Sequence, residues 1–272
     1  MKKRTAGIDP KKAQAAAARA AREVGALMRR ELHSVKRAQT VTQHDIKLEL
    51  DVRSQRLIEK SLRRAFPQAA LLGEEGVAGR ADAEYRWVVD PIDGTVNFAY
   101  GIPHACVSIA LQQRTASPPK ADFPGGYQTL LGVVYDPFCD ELWSGIRGQA
   151  AQLNGRDIRV SRRPRLREAV VSIGFTKNRE SLNNTLPYFN ALVHRVRKIR
   201  MMGAAALALT YVACGRFDAY IESEIRIWDI AAGGLIIECA GGEFWRERHA
   251  DKDAYRVIAS NGLLRRSLRL PR

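Results

Sequence analysis

The hydrophobic positions near the start of the chain recur at helical spacing. Between residues 10 and 35 they form one stripe, which consists of Ala17, Ala20, Val24, Leu27, Met28 and Leu32. Arginines lie on the opposite face. A spacing of three and four residues puts such side chains on one side of a helix, so the pattern predicts an amphipathic helix over residues 10–35. A second helix is predicted over residues 52–65, and Pro67 ends it. Its apolar stripe consists of Leu57, Ile58 and Leu62.

Short apolar runs bounded by turn residues predict β-strands. In the first part of the chain they cover residues 71–75, where the strand opens into an acidic turn, and residues 87–89, 104–111, 130–135 and 141–144. In the second part they cover residues 170–175, 198–202, 217–222, 243–246 and 255–259. Helices are predicted between them over residues 182–196, 204–214 and 228–238. In the first of these helices, the residues expected to face the core are Leu186, Phe189, Leu192 and Val193.

Strands and helices therefore alternate along the whole chain. This alternation predicts an α/β or α+β fold built as a layered sandwich. A length of 272 residues fits a single domain over residues 1–272 that can bury a large core. The basic segment at residues 161–167, which contains Pro164, is expected to connect two halves at about residues 1–160 and 161–272.

The composition is ordinary for a soluble globular protein except in its charge. Hydrophobic residues make up 46% of the chain, and 44 Lys and Arg against 29 Asp and Glu give a net charge of +15. Such a basic chain favours anionic partners: a phosphorylated small molecule, nucleic acid or an acidic protein. Arginine clusters could neutralise RNA phosphates, but no RNA-binding motif with interleaved aromatic residues accompanies them.

The cysteines and the apolar runs indicate in which cellular compartment the protein is expected. The cysteines, which lie far apart without a CxxC pair, are Cys106, Cys139, Cys214 and Cys239. This usage favours free thiols in a reducing cytoplasm. Arginines break the alanine-rich start, so it lacks the hydrophobic segment of a signal peptide. The longest uncharged run, residues 201–215, is shorter than the roughly 20 residues that cross a bilayer, and we expect no membrane segment.

The most informative stretch covers residues 87–98. Its apolar start predicts a strand that delivers Asp90 and Asp93, two carboxylates three positions apart. Pro91 fixes φ between them and removes a backbone donor. A strand end of this kind can direct hard oxygen ligands at divalent cations. The alternative is a turn in which both carboxylates accept hydrogen bonds from their own backbone.

The residues that follow could add a phosphate site. Gly94 permits a sharp reversal, and Thr95 stands where a helix N-cap would stand. The N–H groups after Gly94 would face an anion, while the carbonyl of Ile92 could join the metal ligands. Together these features suit a metal-dependent phosphate site.

Two further acidic segments are less informative alone. Glu74 and Glu75 follow Gly73 after an apolar strand, and in isolation they indicate a solvated turn. Asp229 follows Trp228 at a predicted helix start, where aspartate is commonly structural.

Taken in order, three segments resemble the inositol monophosphatase family. They are Gly-Glu-Glu at residues 73–75, Asp-Pro-Ile-Asp-Gly-Thr-Val-Asn-Phe at residues 90–98, and Trp-Asp-Ile-Ala-Ala-Gly at residues 228–233. Supporting similarity covers residues 132–135, 154–155, 203–206 and 215–220. The second segment is very specific, and the resemblance runs from about residue 15 to residue 260.

The resemblance implies a magnesium-dependent phosphomonoesterase with a layered α-β-α-β-α fold, usually a homodimer. Carried over by position, the metal ligands would be Glu74, Asp90, the Ile92 carbonyl, Asp93 and Asp229. Glu74 with Thr95 would orient and deprotonate the attacking water beside Asp93, and the Gly94 and Thr95 amides would bind the phosphate. The residues implied to contact the rest of the substrate are Asp93, Gly203, Ala204, Ala205, Glu222 and Asp229.

General chemistry agrees with this assignment. A phosphate monoester dianion repels hydroxide, so the site must neutralise charge and lower the pKa of water, which carboxylate-bound metal ions do. Mg²⁺ prefers oxygen ligands, and the sequence has no histidine or cysteine cluster suited to zinc. No Ser or Cys sits in a nucleophile-elbow sequence, so direct attack by water is preferred.

The sequence departs from the family pattern in two places. An Asp-x-Val-Thr-x-x-Asp run supplies an outer metal contact in the family, but Lys47 and Leu48 replace Val-Thr here. Spacing favours Asp51 as that contact, with Asp45 as a rival. Residues 223–227 also differ from the family's Gly-x-Ile, so the loop that faces the substrate is expected to differ.

The expected reaction is hydrolysis of a small phosphate monoester, with inositol 1-phosphate as the default substrate. Relatives with this signature also cleave histidinol phosphate, fructose 1,6-bisphosphate or 3′-phosphoadenosine 5′-phosphate. The alternative from another class is a basic module that binds RNA or the transcription machinery, with catalysis secondary. The intact acidic set argues against lost catalysis, because buried like charges without metal would be costly.

Overall fold

The computed structural model describes residues 7–35, 37–41, 46–115, 123–175, 179–249 and 253–268. The helices are α1 (Pro10–Glu31), α2 (Glu49–Ala65), α3 (Thr95–Ala99), α4 (Arg179–Val193), α5 (Ala205–Ala213) and α6 (Ile227–Cys239). The first strands are β1 (Ala38–Val41), β2 (Ile46–Leu48), β3 (Ala69–Gly73), β4 (Gly76–Ala78), β5 (Tyr85–Asp93), β6 (Cys106–Arg114), β7 (Tyr127–Asp136) and β8 (Glu141–Ile146). The later strands are β9 (Gln152–Leu153), β10 (Arg156–Asp157), β11 (Val170–Ile173), β12 (Lys198–Arg200), β13 (Ala219–Ile225), β14 (Glu243–Arg248) and β15 (Tyr255–Ser260).

Helix α1 begins and ends for local reasons. Asp9 caps it by accepting hydrogen bonds from the N–H groups of Lys11 and Lys12, and Pro10 occupies its first turn. Its small and apolar side chains face the core, as the stripe predicts. The helix ends at Glu31, four residues before the predicted end at residue 35.

The larger sheet has the strand order β10-β9-β8-β7-β6-β5-β3-β4 among the described residues. Its neighbouring strands are antiparallel except for the parallel pair β3 and β5. Helices α1 and α2 pack on one face of this sheet, and α5 and α6 pack on the other. Strand β5 is therefore covered on both sides, which explains its nearly continuous run of buried residues.

The smaller sheet has the described order β12-β11-β13-β15-β14. One of its faces shares the core with α5 and α6, while the other packs against α4. The successive layers are thus helices, sheet, helices, sheet and helix, so the predicted α-β-α-β-α sandwich is confirmed. The division near residue 160 stays a prediction.

Helix α4 corrects one prediction about which of its side chains face the core. It covers residues 179–193 instead of 182–196, and Leu192 is buried while Phe189 is partly buried, as expected. Leu186 and Val193 are 51% and 39% exposed, so their predicted inward orientation is wrong. The helix covers the outer face of the smaller sheet, and among the described residues only its stripe that faces this sheet joins the core.

Strand β5 and helix α3 correct a second prediction, which concerns where the strand ends and where the helix begins. The strand continues through Pro91 to Asp93 instead of ending at Val89, because a register shift against β6 between Asp90 and Asp93 accommodates the proline. Thr95 is the first residue of α3, and Gly94 is the N-cap. No helix among the described residues is both long and apolar enough to span a membrane.

Candidate active site

A cavity of about 380 Å³ lies where the ends of both sheets meet α3, α5 and α6. Its lining includes most of the site residues expected from the sequence, namely Glu74, Asp90, Ile92, Asp93, Gly94, Thr95, Gly203, Ala204, Ala205, Glu222 and Asp229. The fold therefore brings together residues from both halves of the chain.

Three carboxylates form the centre of this cavity. Asp90 and Asp93 come from the irregular end of β5, and Asp229 comes from the first turn of α6. One oxygen from each lies within 4.8 Å of the others, and Asp90 and Asp93 are buried. The N–H of Ile92 donates to Asp90 Oδ1 at 3.0 Å, which fixes the orientation of that side chain.

The other two carboxylates are held by backbone donors of helices. Asp93 accepts hydrogen bonds from the N–H of Ala205 at 3.1 Å and of Ala206 at 2.8 Å, at the start of α5. The buried thiol of Cys106 also donates to it at 3.5 Å. Asp229 accepts a hydrogen bond from the N–H of Arg226 at 2.9 Å. The helix starts α5 and α6 thus stabilise negative charge in the cavity.

Burial and mutual repulsion disfavour full ionisation of the cluster. Burial, followed by the charges of neighbouring carboxylates that include Glu74, raises the pKa of Asp90 well above its ordinary value. The pKa of Asp229 is raised for the same reasons, with burial again the largest cause. Burial raises the pKa of Asp93 to about 6, although the N–H groups of α5 oppose the shift. A bound cation would relieve this repulsion.

Glu74 lies at the end of β3, beside β5. Its N–H donates to the carbonyl of Val89 at 3.2 Å, and the residue lines the cavity but is exposed, unlike Asp90 and Asp93. Because β3 and β5 are parallel, their carboxyl ends meet at the same edge of the sheet. This pairing explains how two acidic segments distant in sequence reach one cavity.

The reversal after β5 needs a glycine. Gly94 has a φ of 88°, and a Cβ there would lie 3.0 Å from the carbonyl oxygen of His104. The hydroxyl of Thr95 donates to the carbonyl of Ile92 at 2.9 Å. Thr95 and the Ile92 carbonyl are therefore adjacent at the cavity.

The opposite wall comes from the segment before α5 and from the smaller sheet. Asn97 ties this segment to α3, because its Nδ2 donates to the carbonyl of Met202 at 2.8 Å. On β13, the hydroxyl of Tyr220 donates to Glu222 Oε2. Burial raises the pKa of Glu222 to about 7, although the Tyr220 hydroxyl opposes the shift.

Sequence reasoning missed several residues of this wall. The cavity is also lined by Ser172, Gly174, Phe175, Tyr220, Glu224 and Arg226. Ser172 and Gly174 lie in or next to a strand whose local sequence indicates only burial. Their place at the cavity depends on the pairing of β11 with β13, which nothing in the local pattern reveals.

The outer metal contact stays a prediction. Asp51 is buried but is not among the residues that line the cavity. Its Oδ2 accepts a hydrogen bond from the N–H of Leu48 at 2.7 Å, at the start of α2. Asp45, the rival, lies outside the described residues.

Comparison with known proteins agrees with this geometry. The sequence profile of the inositol monophosphatase family matches residues 9–269. The Nus factor SuhB of Xylella fastidiosa is 38% identical over 227 residues, which are 82% of this chain and 78% of that protein. Inositol monophosphatase 1 of Solanum lycopersicum is 36% identical over 251 residues, which are 89% and 88% of the two chains.

A solved structure extends the likeness to three dimensions. The inositol monophosphatase from Anabaena (Nostoc) sp. PCC 7120 superposes with a TM-score of 0.80 at 33% identity, over 97% of this chain and 98% of that one. The family resemblance read from the three acidic segments is thereby confirmed.

Proposed function

Because this chain belongs to the inositol monophosphatase family, whose members are phosphatases, we propose that it hydrolyses inositol 1-phosphate in a reaction that depends on Mg²⁺. The observation that carries the proposal is the buried cluster of Asp90, Asp93 and Asp229 in a cavity that Glu74 and Thr95 also line. The buried carboxylates by themselves would repel a phosphate, so a phosphate can bind beside them only together with a cation that neutralises them.

The residues present fit a hard divalent cation. The cluster offers only oxygen donors, and neither sulfur nor imidazole ligands belong to it. Asp90, Asp93, Asp229, Glu74 and the Ile92 carbonyl would hold the metal. Bound Mg²⁺ would neutralise phosphate oxygens and make the attacking water more acidic.

The chain's own groups would then orient the reactants. The Thr95 hydroxyl donates its proton to the Ile92 carbonyl, so its oxygen is left to accept a hydrogen bond from the attacking water. The exposed carboxylate of Glu74 would accept the second proton of that water. The amides of Gly94 and Thr95 would contact the phosphate, and Glu222 would contact a hydroxyl of the leaving group. These roles come from the family match and from the shared cavity.

A phosphate-release assay tests the proposal. Purified protein is incubated with inositol 1-phosphate, histidinol phosphate, fructose 1,6-bisphosphate and 3′-phosphoadenosine 5′-phosphate, with Mg²⁺ or with a chelator. We expect metal-dependent release, fastest with inositol 1-phosphate, and loss of turnover with Asp93→Asn. A different preferred substrate would refute the substrate assignment. Retained turnover in Asp93→Asn would refute the metal ligand set.

We further propose a homodimer formed through the exposed apolar side chains around α3. Tyr100 and Met201 are 75% and 62% exposed, and the bond from Asn97 to the Met202 carbonyl holds their two segments together. Light scattering after size exclusion should give a dimer for the wild type and a monomer for Tyr100→Ser with Met201→Ser. Val77→Ser, which changes an equally exposed side chain on β4, is the control. A monomeric wild type would refute this surface.

We propose a reducing cytoplasmic location. All cysteines are free thiols, and Cys139 is exposed. Cell fractionation, with the protein recovered among cytoplasmic markers, tests this location.

A second candidate function is supported by the surface charge. The net charge is +15, and Arg197, Lys198 and Arg200 are exposed along or beside the edge strand β12. Relatives named Nus factors make RNA or transcription complexes the partner class to test. Clustered arginines bind nucleic acid phosphates with a strong dependence on salt.

Fluorescence anisotropy with single-stranded RNA at rising salt tests this candidate. Replacing Arg197, Lys198 and Arg200 with Glu should weaken binding and flatten its salt dependence. The control, which changes the charge equally on α2, replaces Arg56, Arg63 and Arg64 with Glu. Equal effects of both variants would show that binding follows net charge and not this edge.

A further inference from the structure

A second cavity, of about 500 Å³, lies at the amino end of β11 and is rich in arginine. This arginine cavity is lined by Arg163, Glu168, Val170, Arg197, Gly215 and Arg216. Val170 is the first residue of β11, whereas residues 172–175, toward and beyond the other end of that strand, line the cavity of the candidate active site. The lining residues of the two cavities do not overlap, so the arginine cavity is a separate place on the protein.

The guanidinium group of Arg163 is fixed by the fold. Its Nε donates to Asp218 Oδ1 at 2.7 Å, and its Nη2 donates to the carbonyl of Gly215 at 2.8 Å. Asp218 is fully buried, and it also accepts a hydrogen bond from the N–H of Val170 at 2.7 Å. Arg163 is therefore tied both to the smaller sheet and to the end of α5, and its Nη1 is left without a hydrogen bond among the described residues.

The guanidinium group of Arg216 is fixed as well. Both of its terminal nitrogens donate to the carboxylate of Glu141, with Nη1 at 2.6 Å from Oε2. The group also lies 5.0 Å from the centre of the Tyr211 ring. Its Nε makes no hydrogen bond in the described part of the chain. An arginine that is already ordered loses little conformational entropy when it binds a ligand.

Arg197 adds a positive charge that no described carboxylate neutralises. Its N–H donates to the carbonyl of Ala169 at 2.9 Å, which fixes the backbone from which the side chain starts. The residue is exposed, and its guanidinium group makes no ion pair or hydrogen bond with a described residue. Glu168, the acidic residue of the lining, is paired with Arg165. Arg197 is therefore available to an anion that enters the cavity.

The surroundings of the cavity are also strongly basic. Residues 159–167 contain five arginines, residues 195–200 contain four Lys and Arg, and neither segment contains Asp or Glu. The described ion pairs of these segments and of Arg216 involve the carboxylates of Glu141, Glu168 and Asp218. Positive charges thus outnumber their acidic partners here, and the resulting potential attracts anions.

We propose that the arginine cavity binds a phosphate group at a site separate from the candidate active site. Arginine suits phosphate because its planar guanidinium group donates two parallel hydrogen bonds to neighbouring oxygens. The donors would be Arg163 Nη1, Arg216 Nε and the guanidinium group of Arg197. A free polyphosphate and the backbone of RNA both present such phosphate groups. The inference requires neither phosphatase activity nor the RNA candidate function.

Calorimetric titration of tripolyphosphate into metal-free protein tests the site. Without a bound cation, the carboxylates of the candidate active site repel this probe, and the buffer contains no chelator because chelators are themselves polyanions. Arg197→Ala should weaken binding about 5- to 20-fold, since it removes a charge and a hydrogen-bond donor at a partly screened site.

Arg200→Ala is the matched control. It removes the same charge from β12, but Arg200 is exposed, donates to the carbonyl of Ile199 at 3.0 Å and does not line the cavity. It should change the affinity less than about 2-fold. Equal losses in Arg197→Ala and Arg200→Ala would show that binding follows net charge, and this result would overturn the inference.

The same titrations with single-stranded RNA identify the source of the phosphate. A selective loss in Arg197→Ala with tripolyphosphate alone assigns the site to small phosphorylated molecules, and a selective loss with RNA alone assigns it to the RNA backbone. A selective loss with both probes assigns it to the phosphate group in either setting. No binding by the wild type, or no selective loss with either probe, would overturn the inference.

Steady-state kinetics separate this site from the proposed reaction. Arg197→Ala should keep kcat/KM for inositol 1-phosphate within about 2-fold of the wild type, because it lies outside the candidate active site. A fall in kcat/KM as large as the fall in tripolyphosphate affinity would overturn the separation of the two sites. If the wild type hydrolyses no monoester, the phosphatase proposal fails, and the titrations still decide whether the arginine cavity binds phosphate.

Discussion

Replacing Asp90 with Asn should stabilise the metal-free protein and strongly reduce its stabilisation by metal. Asn has nearly the same shape, and its Oδ1 can still accept the hydrogen bond from the N–H of Ile92. The change removes one negative charge from the cluster with Asp93 and Asp229. The substitution therefore separates the electrostatic cost of the cluster from its packing.

The magnitude follows from the spacing of the carboxylates. Oxygens within 4.8 Å, at an effective dielectric constant of about 20, repel by about 3 kcal/mol or more for each ionised pair. Protonation relieves part of this repulsion, because the pKa of Asp90 is raised by burial and by its acidic neighbours. We expect the substitution to add about 1–3 kcal/mol to the free energy of unfolding in chelator, or about 3–10 °C in melting temperature.

The difference in stability between Asp90→Asn and the wild type depends on pH and on the metal. A carboxyl group whose pKa is raised in the folded protein favours folding while it is protonated, and this contribution is lost as pH rises through the folded-state pKa. The advantage of Asp90→Asn in chelator should therefore grow as pH rises. In Mg²⁺ the order should reverse, because the wild type gains stability from binding the ion and the variant gains much less.

Thermal unfolding of both proteins, in chelator and in Mg²⁺ at several pH values, measures these shifts. Asp218→Asn is the control. Asp218 is fully buried but accepts hydrogen bonds from Ser161, the Arg163 guanidinium and the Val170 N–H, so its loss should destabilise the protein by about 2 kcal/mol or more under both conditions. A lower melting temperature for Asp90→Asn in chelator would refute the reasoning that the metal-free carboxylates repel one another.

Three further predictions concern packing and the substrate wall. Gly132→Ala should lower the free energy of unfolding by about 1–3 kcal/mol in a denaturant titration, because the new Cβ would lie 2.6 Å from the carbonyl oxygen of Ala232 on α6; an unchanged midpoint would contradict this. Gly174→Ala should raise KM for inositol 1-phosphate several-fold by displacing Glu222, and it should spare p-nitrophenyl phosphate; equal losses on both substrates would indicate a general disturbance. Burial raises the pKa of Glu222 to about 7, so its contribution to stability is lost as pH rises through that value. In chelator, the melting temperature of Glu222→Gln should therefore fall less than that of the wild type between about pH 5 and 8. Parallel pH profiles of the two proteins would count against this assignment.

The sequence predicted the strand end that carries Asp90 and Asp93, because the restrictions that shape this strand end are local. Asp90 and Asp93 flank a proline and precede Gly94, and these backbone restrictions act within a few residues. The layered fold could also be anticipated, since alternating apolar runs and helical stripes record which segments need to be buried. Helix and strand boundaries shifted by a few residues, because ends depend on caps and neighbouring strands.

Periodicity did not reveal how much of each face becomes covered. Leu186 and Val193 fit the apolar stripe of α4, yet both are substantially exposed, and neither belongs to the core that α4 shares with the smaller sheet in the described part of the chain. An apolar pattern shows which side chains could be buried, but the packing of neighbouring elements decides how many of them are.

Long-range pairing decided the rest of the site. By itself the sequence determined that a strand end carries two carboxylates and a tight glycine turn, and that the family motifs are present. Only the tertiary structure brought Asp229 to Asp90 and Asp93, supplied the N–H groups of α5 to Asp93, and set Ser172 beside Tyr220. The physical reason is that covalent geometry acts over neighbouring residues, whereas strand register and helix packing choose partners from anywhere in the chain.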